Sequence, residues 1–326
     1  MRSRRAPPVL HAPPVRAPAR LAISLAIATA MGCCSPALAN NACGAGSGRQ
    51  PCTFTLGQRP FAASSSWNRP IAPDATFEKL AWPPGALFGV AWDSYSPAIH
   101  VSSASDPVVS VEHPASWGRP AGVASIRIPV GVDGAQGTDG ELLVIDGGTV
   151  HNFWQFKRLS ADRATARSYA AADIVTGDGW GRTSPFLGAG IVAAGSSQLA
   201  GLLVQAETDR GEITHALQIA IDAALARPGR TGEAINGDGR NPEGLVQEGE
   251  RLAIPATMPM PPGLSPLGRK VFRAYRTYGA FVIDVAGGIT NLRAQANAYD
   301  EATITALQQD LTRISPLLQR VRRPAD

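Results

Sequence analysis

Short runs of alternating apolar and polar residues occupy most of the chain, and this period of two is typical of half-buried β-strands. Ile99 and Val101 are spaced in this way, as are Val109 and Val111, and the run 123–132 continues the pattern. The stretch from Leu142 to Leu159 predicts a hairpin, with strands over Leu142–Ile145 and Val150–Leu159 joined by an Asp-Gly-Gly turn. The body of the protein is therefore predicted to be β-rich.

Two segments have the helical period instead. Over Ser265–Gly279, Ser265 fits an N-cap, Pro266 the first helical position and Gly279 the residue after the helix end. The segment Asp300–Arg323 predicts a second, amphipathic helix that Pro316 should kink. Its apolar stripe consists of Ile304, Leu307, Leu311, Ile314, Leu318 and Val321.

These elements predict a mostly β fold, a sandwich of the jelly-roll type with one packed helix and a C-terminal helix. A mixed α+β domain is the alternative. We expect a flexible segment over 40–63, a β-rich domain over 64–296 and a helical appendage over 297–326. The polar, Gly-rich loop 227–250 is long enough to suggest a functional role.

Residues 1–39 have the composition of an export signal. Five arginines precede a twelve-residue apolar run, Leu21–Gly32, and the segment contains no acidic residue. After the apolar run, Ala37–Ala39 fits a signal-peptidase site. We therefore expect a secreted or periplasmic protein. Attachment of a lipid at Cys33 is the less favoured alternative.

Two of the four cysteines remain after removal of the leader, and in an oxidising compartment they can form a disulfide. Cys43 and Cys52 flank a Gly-rich stretch, and we expect them to form a disulfide that closes a small loop. Two cysteines are too few for a compact zinc site.

The charge balance argues against several kinds of partner. The whole chain has 30 basic and 26 acidic residues, and removal of the leader's five basic residues leaves 25 basic and 26 acidic ones. No basic excess remains to favour nucleic acid or an anionic membrane surface. No later run is long enough to predict a membrane span. Nor does any motif predict a metal or a cofactor, since "NGDG" lacks the spacing of a calcium loop.

The hairpin "IDGGTVHNFWQFKR" carries the first group of candidate functional residues. Asp146 ends one strand, and His151, Asn152, Trp154 and Gln155 follow on the other. Polar and apolar side chains mix on both faces, which suits the lining of a cleft where a ring stacks on a sugar and amides bind its hydroxyls. A turn-capping Asp, a surface His and a core Trp form the alternative interpretation.

Three further residues suggest proton transfer. His215 leads an apolar strand, so it is either a core histidine with bonded ring nitrogens or an acid/base near neutral pH. Tyr278 ends a predicted helix. Asp284 interrupts an apolar strand, which is unfavourable unless a partner satisfies its carboxylate or the strand ends there. Among residues outside these positions, Arg251 and Trp180 are candidates for substrate binding.

Several strings occur together in a recognisable order, from "SSSWNRPIAPDA" through "DGGTVHNFWQ", "GEITHALQIAI" and "NPEGLVQEGERLAIP" to "RTYGAFVIDVAGG". In this order the chain resembles a group of exported bacterial β-rich proteins without an assigned activity. The resemblance implies a single domain with His215, Tyr278 and Asp284 in motif positions. A looser analogy, based on residue types alone, links the chain to jelly-roll enzymes that degrade polysaccharides.

We expect a secreted enzyme that cleaves a polysaccharide or oligosaccharide, and three hypotheses remain open. In a lyase, which is slightly favoured, Arg251 or Asn152 would neutralise a uronate, His215 would take the C5 proton and Tyr278 would protonate the leaving oxygen. In a glycoside hydrolase, Asp146 and Asp284 would be the two carboxylates. In a non-catalytic glycan-binding or envelope protein, Trp117, Trp154 and Trp180 would stack on sugar rings.

Overall fold

The computed structural model describes residues 54–182, 184 and 187–322, which belong to one compact unit. Within these residues the backbone forms seventeen strands and three α-helices. The strands are β1 (Thr76–Lys79), β2 (Phe88–Ala91), β3 (Ala98–Val101), β4 (Val108–His113), β5 (Gly122–Arg127), β6 (Leu142–Asp146), β7 (Thr149–Trp154), β8 (Lys157–Arg158), β9 (Arg163–Thr165), β10 (Ser168–Asp173), β11 (Leu217–Asp222), β12 (Ala226–Arg230), β13 (Val246–Glu248), β14 (Arg251–Ala253), β15 (Ala280–Ala286), β16 (Thr290–Arg293) and β17 (Gln319–Arg322). The helices are α1 (Gln205–Arg210), α2 (Pro266–Thr277) and α3 (Glu301–Ile314).

The mostly β class is confirmed, and so is a sandwich-like arrangement with a helix near the C-terminus. The predicted export signal and the Cys43–Cys52 disulfide lie outside the described residues. No helix in the described ranges has the length and apolar character needed to cross a bilayer.

Three sheets contain most of the strands. The largest has seven strands in the order β1-β17-β14-β15-β11-β16-β2, with β11 parallel to β15 and β16 parallel to β2. A second sheet has the order β10-β7-β6-β3, and a third the order β5-β4-β9-β8. β12 and β13 form a separate parallel pair.

Alternating side chains place these sheets in layers. In β15, Ala280 and Val282 face a core shared with α2 and α3, whereas Phe281 and Ile283 face a core shared with the second sheet. Alternate residues of β6 likewise face two different cores. One set faces the core between the largest sheet and the second sheet, and the other set faces a core shared with the third sheet. A strand buried on both faces reads as a continuous apolar run. A jelly-roll sandwich, as predicted from the sequence, has two sheets. The structure contains a third sheet packed on the second one.

The interior helix matches its prediction. The Ser265 hydroxyl accepts a hydrogen bond from the Gly268 amide at 3.0 Å, Pro266 opens α2, and Gly279 has a φ of 72° just after the helix end. A glycine is favoured there because this left-handed conformation strains residues that have a Cβ.

The C-terminal segment departs from its prediction. α3 ends at Ile314, Pro316 lies in a short 3₁₀ turn, and Gln319–Arg322 forms β17 between β1 and β14. Arg320 of that strand is buried, and its Nε donates to Glu250 Oε2 at 2.6 Å. The region predicted as a helical appendage thus belongs to the same core as the β-rich domain. The buried Arg320 concealed the strand, because a charged residue at the buried position removes the apolar alternation that would have predicted it.

The hairpin is present over Leu142–Asp146 and Thr149–Trp154, and Asp146 pairs with Thr149 across the turn. Its second strand ends at Trp154 instead of continuing to Leu159. Gln155 has a φ of 52°, and the chain then enters the third sheet through β8. The predicted strand was too long because this left-handed residue breaks the pairing without any change in the hydrophobic pattern.

Candidate functional site

His215, Tyr278 and Asp284 do not converge. The Leu217 amide donates to the Gly279 carbonyl at 3.0 Å, so His215 and Tyr278 both precede the same end of the parallel strands β11 and β15. Asp284 pairs with Ala220 near the other end. It lies six residues after Tyr278, roughly 20 Å along the strand at about 3.3 Å per residue. The single hollow that the catalytic hypothesis requires is not formed.

His215 is a core histidine whose two ring nitrogens are both bonded. Only 3% of the residue is exposed, Nε2 lies 2.9 Å from Glu207 Oε2, and Nδ1 lies 2.8 Å from the Ala216 carbonyl oxygen. Burial lowers the pKa of His215, but the charge and hydrogen bond of Glu207, with the Ala216 carbonyl, outweigh it and raise the pKa above its usual value. Both nitrogens therefore donate, as an imidazolium in a buried ion pair does.

The pocket beside this pair is small and mostly apolar. It is lined by residues that include Leu56, Pro60 and Leu202, and its free space is about that of one water molecule. A sugar ring does not fit there. The structure therefore favours the structural interpretation of His215 over a role as the base of an elimination.

Arg251 serves the backbone near Tyr278. Its Nε donates to the Tyr278 carbonyl at 2.9 Å and its Nη2 to the Arg69 carbonyl at 2.5 Å, while the guanidinium lies 5.2 Å from the centre of the Phe281 ring. These bonds fasten the start of β14 to the end of α2. They direct the guanidinium towards main-chain oxygens instead of a substrate carboxylate.

Two hairpin candidates are bonded within the protein. His151 Nδ1 lies 2.9 Å from the Tyr169 hydroxyl, and burial lowers the pKa of His151 to about 4 against the opposing charge of Asp146. Asn152 is fully buried, where its Oδ1 accepts from Ser197 Oγ at 3.0 Å and its Nδ2 donates to the Ala189 carbonyl at 3.0 Å. Asn152 therefore holds the segment 189–198, and the predicted contact with substrate is not available to it.

Trp180 and Asp146 also differ from the predicted roles. Trp180 is fully buried, stacks on Trp67 at 5.0 Å between ring centres and donates from Nε1 to Ser66 Oγ at 2.9 Å. Asp146 lies at the end of β6 and faces Arg127, whose Nη1 is 3.5 Å away. Neither residue is placed with Asp284.

Trp154 does contribute to an open surface. Its Nε1 donates to Asp139 Oδ1 at 3.2 Å, and its ring centre lies 5.0 Å from that of Trp117, which is 58% exposed. We name these two rings the tryptophan platform. Gln155 lies next to it and donates to the Thr138 carbonyl at 3.1 Å.

The backbone below the platform is strained. Trp117 and Gly118 form the tip of a tight turn closed by Ser116 and Arg119, with φ values of 47° and 77°. A residue with a side chain in this left-handed region costs of order 1–3 kcal/mol. An exposed indole held at that cost is a feature that suggests a function.

Asp284 belongs to a group of charged residues that act on one another, which we name the acidic cluster and define as Asp139, Glu141, Asp238, Glu248 and Asp284 together with Arg293. Asp284 is half-buried, and its Oδ1 accepts from the Val285 amide at 3.0 Å. Burial raises its pKa, Arg293 opposes this, and the charges of Asp238 and Glu141 raise it further, to about 7.

The buried pair of Glu141 and Arg293 links Asp284 to the tryptophan platform. The Arg293 guanidinium donates to Glu141, and each side chain is only 4% exposed. The charges of Asp284 and Asp139 also act on Arg293 and help to raise its pKa. Since Asp139 accepts from Trp154, the platform and the carboxylates belong to one region of the molecule.

Glu248 supports the loop that carries Asp238. It has no exposed surface, and its Oε1 accepts from the amides of Asp238 and Gly239 at 3.0 and 3.1 Å. Burial and a hydrogen bond with the Asp238 side chain raise the pKa of Glu248 to about 7. The exposed Asp238 thus acts on two carboxyl groups whose pKa values are raised, those of Glu248 and Asp284.

The segment 188–195 lies between these parts. The Ala194 amide donates to the Ile283 carbonyl at 2.9 Å, the Ile235 amide donates to the Ala194 carbonyl at 3.0 Å, and Arg119 donates to the Gly190 carbonyl at 2.8 Å. It thus touches the turn that carries Trp117, the strand that carries Asp284 and the loop that precedes Asp238.

Of the residues in the acidic cluster and the tryptophan platform, the sequence analysis named Asp284, Trp117 and Trp154 and did not name Asp139, Glu141, Glu248 or Arg293. A charged residue next to a buried strand could have marked two of these as candidate site residues. Glu141 immediately precedes the apolar run of β6, and Glu248 ends β13. Asp146 gave the same signal at the other end of β6, five residues or roughly 16 Å from Glu141. Only the tertiary fold distinguishes these two ends.

Among the described residues, no group of three or more His, Cys, Asp or Glu side chains is arranged to hold a metal ion. Comparison of the chain with models of protein families, with curated proteins and with solved structures gives no match.

Proposed function

We propose that the protein is an exported glycoside hydrolase that acts on a polysaccharide or oligosaccharide at the acidic cluster. The observation that carries the proposal is the pKa of about 7 for the half-buried Asp284, beside the charge of Asp238. Glycosidases need one carboxyl group that stays protonated near neutral pH and a second that stays ionised. The leader pattern supports action outside the cytoplasm.

In this proposal Asp284 is the general acid. It gives its proton to the glycosidic oxygen as the bond from that oxygen to the anomeric carbon breaks. A water molecule adds to the anomeric carbon, and its proton passes to the exposed Asp238 carboxylate. Asp238 replaces Asp146 of the earlier hypothesis, because Asp146 faces Arg127 at the far end of β6.

The tryptophan platform supports a sugar substrate. The face of an indole ring stacks on the apolar face of a sugar, and the exposed Trp117 leaves such a face open to solvent. This observation by itself also favours the second candidate, a glycan-binding protein without catalytic activity. The two candidates differ in the need for Asp284.

Hydrolysis has better support than the elimination that the sequence favoured. An elimination would need His215 as a base and Arg251 as a partner of a uronate. The ring of His215 is bonded on both sides in the interior, and Arg251 is bonded to main-chain carbonyls. Neither residue belongs to the acidic cluster.

The test is release of reducing ends from a panel of polysaccharides by the wild type and by Asp284→Asn. Loss of a general acid costs roughly 100- to 10,000-fold in rate, so we expect Asp284→Asn to lose at least 100-fold in kcat. Asp146→Asn is the matched control and should stay within threefold. Equal activity of Asp284→Asn and wild type would refute the hydrolase. Binding of a glycan without product from the wild type would favour the binding protein.

A further inference from the structure

One edge of the third sheet is open in the part of the chain that the structure describes. The strand order of this sheet is β5-β4-β9-β8, so β5 pairs on one side only. Its residues match those of β4 in an antiparallel ladder without a bulge, and all of them except Ile126 are exposed or half-buried. β5 is therefore a regular strand with a free side.

The hydrogen bonds of β4 show which groups of β5 lie on that free side. The Ser110 amide of β4 donates to the Asp162 carbonyl at 2.8 Å, in the direction of β9. Main-chain groups of successive residues in a strand point to opposite sides, so Val109 points to β5, where it pairs with Ile126. The free side of β5 then carries the N–H and C=O groups of Val123, Ser125 and Arg127. No described residue forms a main-chain hydrogen bond with these groups.

Three other edge strands are shielded. In β2, at one edge of the largest sheet, the Val90 amide donates to Gln308 Oε1 at 3.1 Å, and Gln308 Nε2 donates to the Phe88 carbonyl at 2.8 Å. In β1, at the other edge, Glu78 pairs with arginines of β17. The first half of β10, an edge strand of the second sheet that is as long as β5, is buried. Because proteins normally shield a strand edge from pairing with other chains, the open side of β5 indicates a partner strand.

The side chains of β5 fit a second copy of the same strand. If two β5 strands pair antiparallel about a two-fold axis at Ser125, every main-chain group on the free side of one meets a group on the free side of the other. In this register Val123 lies opposite Arg127 of the second copy, and Ser125 lies opposite its own equivalent. No like charges are opposed, and the aliphatic part of the arginine can cover the valine.

Exposed apolar surface also lies at this edge. Val123 is 62% exposed, and Val130, in the turn that follows β5, is 80% exposed. In the antiparallel register, Val130 comes towards the segment that precedes β5 in the second copy, where Pro120 and Ala121 are exposed. Removal of this surface from water would add to the hydrogen bonds between the strands.

We propose that β5 is a dimerisation surface, at which two copies of this chain pair their β5 strands antiparallel and join two four-stranded sheets into one. A two-fold dimer closes on itself and leaves neither β5 edge open. The inference goes beyond the proposed hydrolase and does not depend on it, because β5 contains no residue of the acidic cluster or of the tryptophan platform.

The experiment measures the molar mass of the full chain by sedimentation over a range of protein concentrations, and adds a cross-linking variant. Ser125→Cys places two thiols across the two-fold axis, where the Cα atoms of a hydrogen-bonded pair are about 5.5 Å apart, a distance that a disulfide spans. Under oxidising conditions this variant should form a covalent dimer. Val108→Cys is the matched control, because Val108 is exposed on the same face of the sheet but belongs to the interior strand β4. Wild type treated in the same way shows the background from the native cysteines.

Charge variants test the register. Val123→Lys places a lysine opposite Arg127 of the second copy, and like charges in this position disfavour association, so the dissociation constant of the dimer should rise at least tenfold. The double variant Val123→Lys with Arg127→Glu puts opposite charges at these positions and should return the constant to within threefold of wild type. Val101→Lys makes the same change at an exposed valine of β3, an edge strand of the second sheet, and should have no effect. Circular dichroism checks that each variant is folded.

A dimer that Ser125→Cys traps and that Val123→Lys weakens would support the inference. A protein that stays monomeric up to about 1 mM would overturn it. A dimer that is equally stable in wild type and folded Val123→Lys, or that Ser125→Cys does not trap, would also overturn it, because its interface would lie elsewhere. None of these measurements uses the release of reducing ends, so a negative result leaves the hydrolase untouched.

Discussion

At the scale of single residues, burial and neighbouring charges keep the carboxyl group of Asp284 partly protonated near neutral pH. Its pKa of about 7 has burial as its main cause, with the charges of Asp238 and Glu141 acting in the same direction. The acid form of such a group predominates below pH 7 and is lost as the pH rises through that value. We expect kcat/KM on the substrate to fall above about pH 7 with a slope of one proton.

The pH profile of Asp284→Glu provides the check. The longer side chain keeps an acid with a different environment, so the alkaline limb should move while the acid limb stays in place. An alkaline limb that is identical in wild type and Asp284→Glu would assign it to another group.

Glu248 offers a second prediction, this time of stability. The Glu248→Ala change leaves the amides of Asp238 and Gly239 without their acceptor. Because these two hydrogen bonds are only partly buried, we expect a total loss of about 1–3 kcal/mol, the usual cost of one unsatisfied donor. Glu248→Gln keeps an acceptor for both amides and should be much less destabilised. Urea unfolding at pH 7 measures both.

The sign of the pH dependence is also fixed. The pKa of Glu248 is raised in the folded state, so the unfolded chain releases this proton first as the pH rises. Wild-type stability should therefore fall from about pH 4.5 up to about pH 7 because of this group. Glu248→Gln lacks the proton and should gain stability relative to wild type over that range. If the free energies of unfolding of wild type and Glu248→Gln differed by the same amount across this pH range, the raised pKa of Glu248 would be contradicted.

At the scale of elements, the pair of Glu207 and His215 fastens α1 to the segment that enters β11. Both side chains are buried, at 9% and 4% exposure. Removal of one member of a buried pair leaves the other charge uncompensated, so Glu207→Gln should destabilise the fold by about 3–5 kcal/mol at pH 5.5. Glu212→Gln, which breaks the exposed pair of Glu212 and Arg273, should cost less than about 1 kcal/mol and is the control.

The pH dependence of this pair follows from the two shifts. Burial lowers the pKa of His215, but Glu207 and the Ala216 carbonyl outweigh burial and raise this pKa above its usual value. The contribution of His215 to the stability of the fold is therefore complete below about pH 6.5, and it is lost as the pH rises through the pKa of the folded state. Burial raises the pKa of Glu207, but His215 and Thr214 lower it below its usual value, so its stabilisation is lost only in acid. The effect of Glu207→Gln should be largest between about pH 4.5 and 6.5 and smaller at pH 9.

The elements also show what the sequence could and could not predict. The hairpin at Gly147 and the capped helix α2 were predictable because a turn and a cap depend on neighbours in sequence. The site was predicted less well. Asp284 was a valid candidate because it interrupts an apolar strand, but its neighbours Asp238, Glu141 and Arg293 come from three other segments. Nothing in the local sequence pattern distinguishes Asp146 from Glu141, since only the direction of β6 in the fold determines which end of the strand lies at the acidic cluster.

At the scale of the whole molecule, the C-terminal strand holds the largest sheet together. β17 is the partner that joins β1 to β14, and it brings Arg320 between Glu250 and Glu78. Glu250 is 6% exposed, so a chain without Arg320 leaves a buried carboxylate without its main cation. Loss of one member of such a pair costs about 3–5 kcal/mol before the lost strand pairing is counted.

A truncation tests this. A chain that ends at Leu317 lacks β17 and should unfold at a markedly lower urea concentration, or fail to fold cooperatively, whereas a chain that ends at Arg322 should match the full-length protein. Arg320→Met tests the charge without removing the strand, because it keeps the backbone pairing and loses only the ion pair. Its free energy of unfolding should lie between those of the two truncated chains. If the chain ending at Leu317 were as stable as the full length, the C-terminus would be a dispensable appendage and the seven-stranded sheet would not need it.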